Sequence, residues 1–330
     1  MVSDDVSGKT FRGEDDLRRE AFHEGEVGFQ TNLGLEDQLA ERGRKLIRPF
    51  MPDQHREFFE KLRLIFLSAV DETGHPHAMI RVGAPGFVHS PDNVTLQIVS
   101  APLPGEPSNL VLGPEGKIGV VGVEPETRRR NRMNGTVIES NAGCLTIKVD
   151  QSFGNCAQYI QTREAAPADG ETGDAHAKIH IGSRLSEQDI AQIRNADTLF
   201  IASRSPTLGE DPRAGLDINH RGGLPGFVKV AGDATLLIPD YKGNNFYNTL
   251  GNLKLDPRAG LLFIDFETGD ILRLSVLAEV FTGRKAELHY PGFERITKAS
   301  VVAAVRAPGA LPIRFVFQEN WPYLPPLALG

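Results

Sequence analysis

Short apolar runs bounded by Gly, Pro and Asp dominate the chain, and this pattern predicts many short β-strands. The clearest run is residues 64–70 (LIFLSAV), which has the length and composition of a buried strand. Helical spacing predicts a helix that ends near Pro49, a second that begins at Asp53, and a third after the capping-box sequence at residues 186–189 (SEQD). The pattern therefore predicts a mainly β fold with flanking helices.

The order helix then strand occurs twice, and short sequence blocks recur in the two halves. Residues 85–88 (PGFV) recur at 225–228, and the dipeptide at 95–96 (TL) recurs at 235–236, in both cases 140 positions later. These repeats indicate a tandem duplication of one β-rich unit. Each unit has about six predicted strands, enough to curl into a small closed barrel.

The repeat gives a division of the chain into four segments. The first is an N-terminal arm and helix, the second and fourth are the two barrel copies, and the third is a linker rich in Glu, Ala, Gly, Asp and Thr. The last copy ends in a Pro-rich tail. In chain order, the four segments are residues 1–50, 51–165, 166–185 and 186–330.

Composition narrows the function classes. Apolar residues make up 40% of the chain and charged residues 24%, as in ordinary soluble domains. The net charge of −7 gives no support for nucleic-acid binding. Two cysteines cannot build a disulfide framework, no apolar run reaches the length of a membrane helix, and the N-terminus lacks the features of a signal peptide. We expect a cytoplasmic protein that binds neither nucleic acid nor membrane.

A Gly- and Asn-rich stretch in the second copy is the candidate for an anion site, because such turns present backbone N–H groups and short amides. The equivalent stretch of the first copy carries prolines, which lack N–H donors, and Glu106, which would repel an anion. An alternative is that residues 242–252 are only a turn that leads into a helix. The candidate residues are Arg221, Gly222, Gly223, Lys242, Asn244, Asn245, Asn248 and Asn252. His220, beside Arg221, either contacts a ligand or is a plain turn residue.

A second polar cluster, at residues 150–161 (DQSFGNCAQYIQ), is predicted to join a strand to the start of a helix. A helix N-terminus would lower the pKa of Cys156 and make its thiol reactive, and a buried, inert thiol is the alternative. Hydrolase, nucleoside-triphosphatase and paired-cysteine metal motifs are absent from the sequence, so no metal site is predicted. The arginines of residues 128–132 are interpreted as a solvated or ion-paired strand face.

Several of these segments resemble the bacterial pyridoxamine 5′-phosphate oxidase-related flavin-binding proteins, over most of residues 22–320. In the second copy they are residues 221–228 (RGGLPGFV), 243–245 (GNN), 250–252 (LGN), 257–263 (PRAGLLF) and 272–274 (LRL). In the first copy they are residues 50–55 (FMPDQH), 128–134 (RRRNRMN) and 150–161.

The resemblance implies two split β-barrels that form a pseudo-dimer and bind FMN at their interface, with F420 or haem as alternative cofactors. It places Arg221 near the phosphate, Asn244, Asn245, Asn248 and Asn252 on the phosphate and ribityl loop, and Arg273 on the following strand. Gln151, Ser152, Asn155 and Cys156 would face the flavin from the other barrel.

The activity implied is an FMN-dependent oxidoreductase acting on a small-molecule substrate, and a flavin-binding protein without turnover is the alternative. A homodimer of the whole chain is also left open. No acid–base residue stands out, so no catalytic residue is assigned. The substrate-phosphate residues of the pyridoxamine phosphate oxidases proper are not found, and that substrate is not expected.

Overall fold

The computed structural model describes residues 21–141, 143–166, 178–211 and 213–325. The predicted helices at 35–49, 53–62 and 187–195 are all present within about three residues of the expected bounds. None of the helices in the described ranges is long and apolar enough to cross a membrane. The helices are α1 (Glu24–Thr31), α2 (Glu36–Leu46), α3 (Asp53–Lys61), α4 (Glu187–Asn195), α5 (Asn248–Leu255) and α6 (Gly283–His289).

The first half forms an antiparallel sheet of seven strands in the order β2-β1-β5-β6-β7-β4-β3. The edge strands β2 and β3 do not pair with each other in the described part of the sheet, so the barrel is split there instead of closed. The prediction of about six strands in a closed barrel is therefore corrected. The strands are β1 (Leu64–Val70), β2 (Pro76–Val82), β3 (Val88–Asp92), β4 (Thr95–Val99), β5 (Lys117–Glu124), β6 (Arg129–Asn141) and β7 (Cys144–Gly154).

The second half repeats this arrangement strand for strand, in the order β11-β10-β14-β15-β16-β13-β12. The mainly β fold class with flanking helices is thus confirmed. The strands are β10 (Thr198–Arg204), β11 (Leu216–Gly222), β12 (Lys229–Ala231), β13 (Thr235–Pro239), β14 (Arg258–Ile264), β15 (Ile271–Thr282) and β16 (Arg295–Ala307).

Three further strands lie at the end of the first copy, in the expected linker and in the expected tail. β9 (His180–Gly182) extends the second sheet by pairing with β16. β8 (Thr162–Ala166) pairs with β17 (Arg314–Glu319), so the end of the first copy is joined to the tail of the second. The described part of the expected linker therefore contains strand, while residues 167–177, like the expected arm at 1–20, lie outside the described ranges.

The two halves pack face to face through β1 and β10, which bury both of their surfaces. Ile65 and Leu67 point into the core of the first barrel, while Phe66, between them, points into a second core shared with the other half. There the Phe66 ring stacks on that of Phe200, with ring centroids 3.5 Å apart. Because both faces are covered, β1 has no need of alternating polar residues, which explains its unbroken apolar sequence.

Two glycines permit the close approach of the halves. A Cβ atom at Gly119 in β5 would lie 2.1 Å from the carbonyl oxygen of Leu216, and one at Gly260 in β14 would lie 2.6 Å from that of Pro76. Each glycine thus meets the first residue of the other half's edge strand. The two contacts are equivalent when the halves are exchanged, so an approximate twofold axis relates the halves.

Candidate functional site

A cavity of about 90 Å³ lies between the two halves, where the loop after β7 crosses β11 and the N-terminus of α5. Both halves contribute to its walls. The first half supplies Arg130 from β6 and residues of the loop 155–159, and the second half supplies β11, the loop 239–247 and the start of α5. The Gly- and Asn-rich stretch and the loop after β7 therefore meet at this cavity.

Half of the predicted binding residues line this cavity, and the other half do not. Those in the cavity are His220, Arg221, Gly222, Asn244, Asn248, Asn155 and Cys156. Those outside its lining are Gly223, Lys242, Asn245, Asn252, Arg273, Gln151 and Ser152.

Three of the outlying residues lie at its margin. The N–H of Gly223 donates to the carbonyl of Asp197 at 2.9 Å. The carbonyl of Lys242 accepts a hydrogen bond of 2.7 Å from the hydroxyl of Tyr159, which joins the two halves beside the cavity. Asn245 shapes the loop, because it adopts a left-handed backbone with φ of 62°.

Asn252 is fully buried and belongs to a polar network beneath the cavity. Its amide nitrogen donates to Asp217 at 2.9 Å and to Ser203 at 3.1 Å, and its amide oxygen lies 2.9 Å from Nε2 of His23. All of the hydrogen bonds of its side chain are therefore to groups in the interior. Its role in this structure is to fix α5 against β10, β11 and the segment that precedes α1.

Asn248 connects this network to the cavity wall. Its oxygen accepts from Nη1 of Arg132 at 3.1 Å, and its nitrogen donates to the carboxyl of Glu26. Arg132 is fully buried and also donates to Asp217 at 3.1 Å. The interpretation of the arginine run as an ion-paired face is thus correct for Arg132, although its partner lies in the other half of the chain.

The remaining outlying residues lie in other parts of the molecule. Gln151 lines a separate cavity of about 800 Å³. The Ser152 hydroxyl is buried and bonds to Nδ1 of His55 at 3.0 Å. Arg273 lies beside Glu106, in the position that corresponds to Arg132 under the twofold axis.

The electrostatic character of the cavity is positive. Burial lowers the pKa of Arg130 to about 9, and the nearby Arg132 and Arg221 add to the shift. Burial, followed by the charges of Arg130 and Arg221, holds the pKa of His220 well below its usual range, so this imidazole is neutral at pH 7. Arg221 remains 29% exposed, and its nearest carboxylate oxygen, on Asp240, is 3.6 Å away. The positive charges around the cavity would therefore stabilise a bound anion.

Several buried polar atoms of the cavity have no hydrogen-bond partner among the described residues. They are Nδ1 of His220, Nε of Arg130, Nδ2 of Asn219 and Oγ1 of Thr249. A buried polar atom without a partner costs about 1–3 kcal/mol, and such atoms are rare in native proteins. Four of the residues that line this one small cavity carry such an atom.

The helix α5 begins at the cavity with its N-terminus uncapped by any described side chain. Its N-cap residue, Tyr247, has a left-handed backbone with φ of 61°, and Tyr159 on the opposite wall has φ of 67°. Such conformations are costly for large residues and cluster at binding sites. Free N–H groups and the helix dipole at this end attract anions.

Some cavity residues were not predicted from the sequence, namely Arg130, Asn219, Tyr159, Tyr241, Tyr247 and Thr249. The prediction for Cys156 is corrected: β7 continues to Gly154, and a loop leads from it into β8, so within the described chain no helix begins here. Cys156 is exposed, which also excludes the alternative of a buried thiol. In the described ranges, no group of His, Cys, Asp and Glu has the arrangement of a metal site.

Comparison with known proteins found no matching family model and no matching curated protein. The matching solved structures include an FMN-binding protein from Syntrophomonas wolfei, with 10% identity over 35% of this chain and 84% of its own, and a TM-score of 0.25. A pyridoxinephosphate oxidase family protein from Clostridium acetobutylicum is 13% identical over 39% of this chain and 92% of its own, with a TM-score of 0.26. A candidate pyridoxamine 5′-phosphate oxidase from Lactobacillus delbrueckii is 16% identical over 37% and 94%, with a TM-score of 0.28.

Proposed function

We propose that the chain is a flavoprotein that binds the phosphate group of FMN in the cavity between its two halves. The observation that carries the proposal is the set of unpartnered buried polar atoms around the cavity, together with Arg130, Arg221 and the free N-terminus of α5. These groups supply charge, N–H donors and a hydroxyl, which is the chemistry that binds a phosphate.

The size of the cavity limits what it holds. Small-molecule pockets usually enclose about 300–1,000 Å³, and this cavity encloses about 90 Å³. It is large enough for the phosphate, while a whole flavin requires the loop 155–161 to move outward. The hydrogen bond of 2.7 Å from Tyr159 to the Lys242 carbonyl is the contact that such a movement would break. Tyr159, Tyr241 and Tyr247 offer aromatic surfaces for a planar ring system.

The activity that follows is that of an oxidoreductase acting on a small molecule. A bound flavin would supply the electron transfer, and the protein would supply binding and orientation. The neutral His220, buried between Phe200 and the cavity, can accept a hydrogen bond through Nδ1 or donate one, depending on its tautomer. It would orient the phosphate end of the ligand.

The test compares FMN with riboflavin, which has the same ring but lacks the phosphate. Fluorescence titration is expected to show FMN binding at least about tenfold more tightly, since a charge-assisted hydrogen bond contributes about 1.5–3 kcal/mol. Equal affinities would contradict the phosphate assignment, and no binding of either compound would contradict the flavin. Bleaching of the bound flavin by reduced nicotinamide, followed by reoxidation with an acceptor, would support turnover over simple binding.

A further inference from the structure

The twofold axis creates a second place that corresponds to the cavity, on the other side of the interface. Arg81 lies opposite Ile65 on β1, as Arg221 lies opposite Leu199 on β10. Arg273 likewise corresponds to Arg132. Arg273 pairs with Leu262, which pairs with Phe200. In the same way, Arg132 pairs with Val121, which pairs with Phe66. The second place therefore has the counterpart of Arg221, which lines the first cavity, and the counterpart of Arg132, which lies in the polar network beneath that cavity.

We propose that this second place is an anion site that is permanently filled by the chain's own carboxylate, that of Glu106. Nη1 of Arg81 lies 2.5 Å from Oε1 and 2.6 Å from Oε2 of Glu106, and Nη2 of Arg273 lies 3.7 Å from Oε1. All three side chains are at most 7% exposed. The carboxylate thus sits between one guanidinium from each half of the molecule.

The carboxylate comes from the loop that corresponds to the ligand loop of the first cavity. In the second half, the loop after β13 carries Asp240, whose carboxylate oxygen is 3.6 Å from Nη2 of Arg221, and Asn244, which lines the cavity. In the first half, the loop after the equivalent strand, β4, carries Glu106 to Arg81. The same structural segment thus leaves Arg221 29% exposed and Arg81 only 2% exposed.

The local charge indicates that the second place still attracts anions. Two buried guanidinium groups share one carboxylate, and Nε and Nη2 of Arg273 have no hydrogen-bond partner among the described residues. Burial lowers the pKa of Arg273 to about 10, although the charge of Glu106 opposes the shift. Removal of the carboxylate would leave two positive groups facing an empty volume of the size of a small anion.

The consequence is that each chain binds one external anion, in the first cavity, because the carboxylate of Glu106 already occupies the second place. This inference concerns the side of the interface away from the first cavity, and it stands whether or not that cavity holds a flavin. Its test therefore uses acetate as the probe and no flavin. Acetate has the atoms that Glu106→Ala removes beyond Cβ.

Thermal unfolding of the wild type, Glu106→Ala and the double variant Glu106→Ala/Arg273→Ala would be followed in sodium acetate and in sodium chloride at equal ionic strength. Glu106→Ala is expected to gain thermal stability in acetate, with an apparent affinity for acetate at least about tenfold higher than that of the double variant. The wild type is expected to respond equally to both salts. Equal responses of Glu106→Ala to the two salts would overturn the proposal.

A second pair of variants decides the matter if Glu106→Ala does not fold. Glu106→Asp keeps the negative charge but shortens the side chain, whereas Glu106→Gln keeps the shape but removes the charge. An anion site requires Glu106→Asp to have the higher unfolding temperature of the two. A higher unfolding temperature for Glu106→Gln would show that this position requires the shape of the side chain and not its charge, and would refute the proposal.

Discussion

At the scale of single residues, Arg221 and Arg81 hold equivalent strand positions but have different surroundings. Arg221 faces the cavity and its nearest carboxylate oxygen is 3.6 Å away, whereas Arg81 is bound to Glu106 at 2.5 Å. We expect Arg221→Ala to weaken FMN binding by about tenfold to hundredfold, since a charge-assisted hydrogen bond is worth about 1.5–3 kcal/mol. Titration of the flavin fluorescence measures the change.

Arg81→Ala is the matched control for this prediction. It removes the main partner of a buried carboxylate, which costs up to about 3–5 kcal/mol of folding free energy, but it leaves the cavity unchanged. We expect lower stability in urea unfolding and unaltered FMN affinity of the folded fraction. Equal losses of FMN affinity in the two variants would contradict the assignment of the ligand to the side of Arg221.

Gly and Asn mark loops that approach ligands, and on this basis the sequence predicted Arg221, Asn244 and Asn248, which line the cavity. Arg130 was missed because a run of arginines gives no sign of which one faces the partner half. Asn252 has the same composition signal as Asn248, yet it lies one helical turn further along, where all of the hydrogen bonds of its side chain are to the buried network. Such differences depend on tertiary packing and are not encoded in local composition.

At the scale of elements, the cavity depends on the close crossing of β11 and the loop after β7. A Cβ atom at Gly222 would lie 1.9 Å from the carbonyl oxygen of Tyr159. We expect Gly222→Ala to push this loop away, to lower the free energy of unfolding by about 1–3 kcal/mol as overpacking does, and to weaken ligand binding. Denaturant unfolding and flavin titration measure the two effects.

Gly243→Ala provides the comparison, because Gly243 lines the same cavity but a Cβ atom there would meet nothing within 4 Å. It is expected to change both stability and affinity by much less than Gly222→Ala. If Gly222→Ala binds the ligand as well as the wild type, the crossing of β11 and the loop is not what forms the site.

Most strands were predictable because each is a short apolar run between turn residues, and β1 and β10 were identified on that basis. The helix expected after residue 150 was not found, since the pairing of β6 with β7 extends to Gly154 and holds that segment in strand. β8 was not predicted as a strand, because its partner, β17, lies about 150 residues further along the chain. Pairing over such separations leaves no signal in a local window.

At the scale of the whole molecule, the halves share a core, so ligand site and fold are coupled. The cavity, the filled second place and the stacked Phe66 and Phe200 all lie on the interface between the two barrels. The buried network of His23, Asn252 and Asp217 adds the N-terminal segment to the same interface. Ionisable groups buried there make the stability of the entire molecule dependent on pH.

Four histidines, His23, His55, His75 and His220, have pKa values that burial lowers below 6.5. Below pH 6.5 the unfolded chain binds protons at these positions before the folded chain does, so stability falls as the pH decreases from 7.5 to 5.5. Each histidine contributes at most about 1.4 kcal/mol per pH unit. Urea unfolding at several pH values in this range measures the trend.

Glu26 acts in the opposite direction, because burial, followed by the charge of Asp217, raises its pKa well above 4.5. Its contribution to stability is complete below pH 4.5 and is lost as the pH rises above that value. One carboxyl opposes four imidazoles, so the net trend below pH 6.5 remains a loss of stability. His220→Gln is expected to flatten the pH dependence, and Glu26→Gln to steepen it, because each variant removes one of the two opposing contributions. A free energy of unfolding that is constant or increases from pH 7.5 to 5.5 would show that the histidines are protonated in the folded protein, and would remove the basis for a neutral His220 in the cavity.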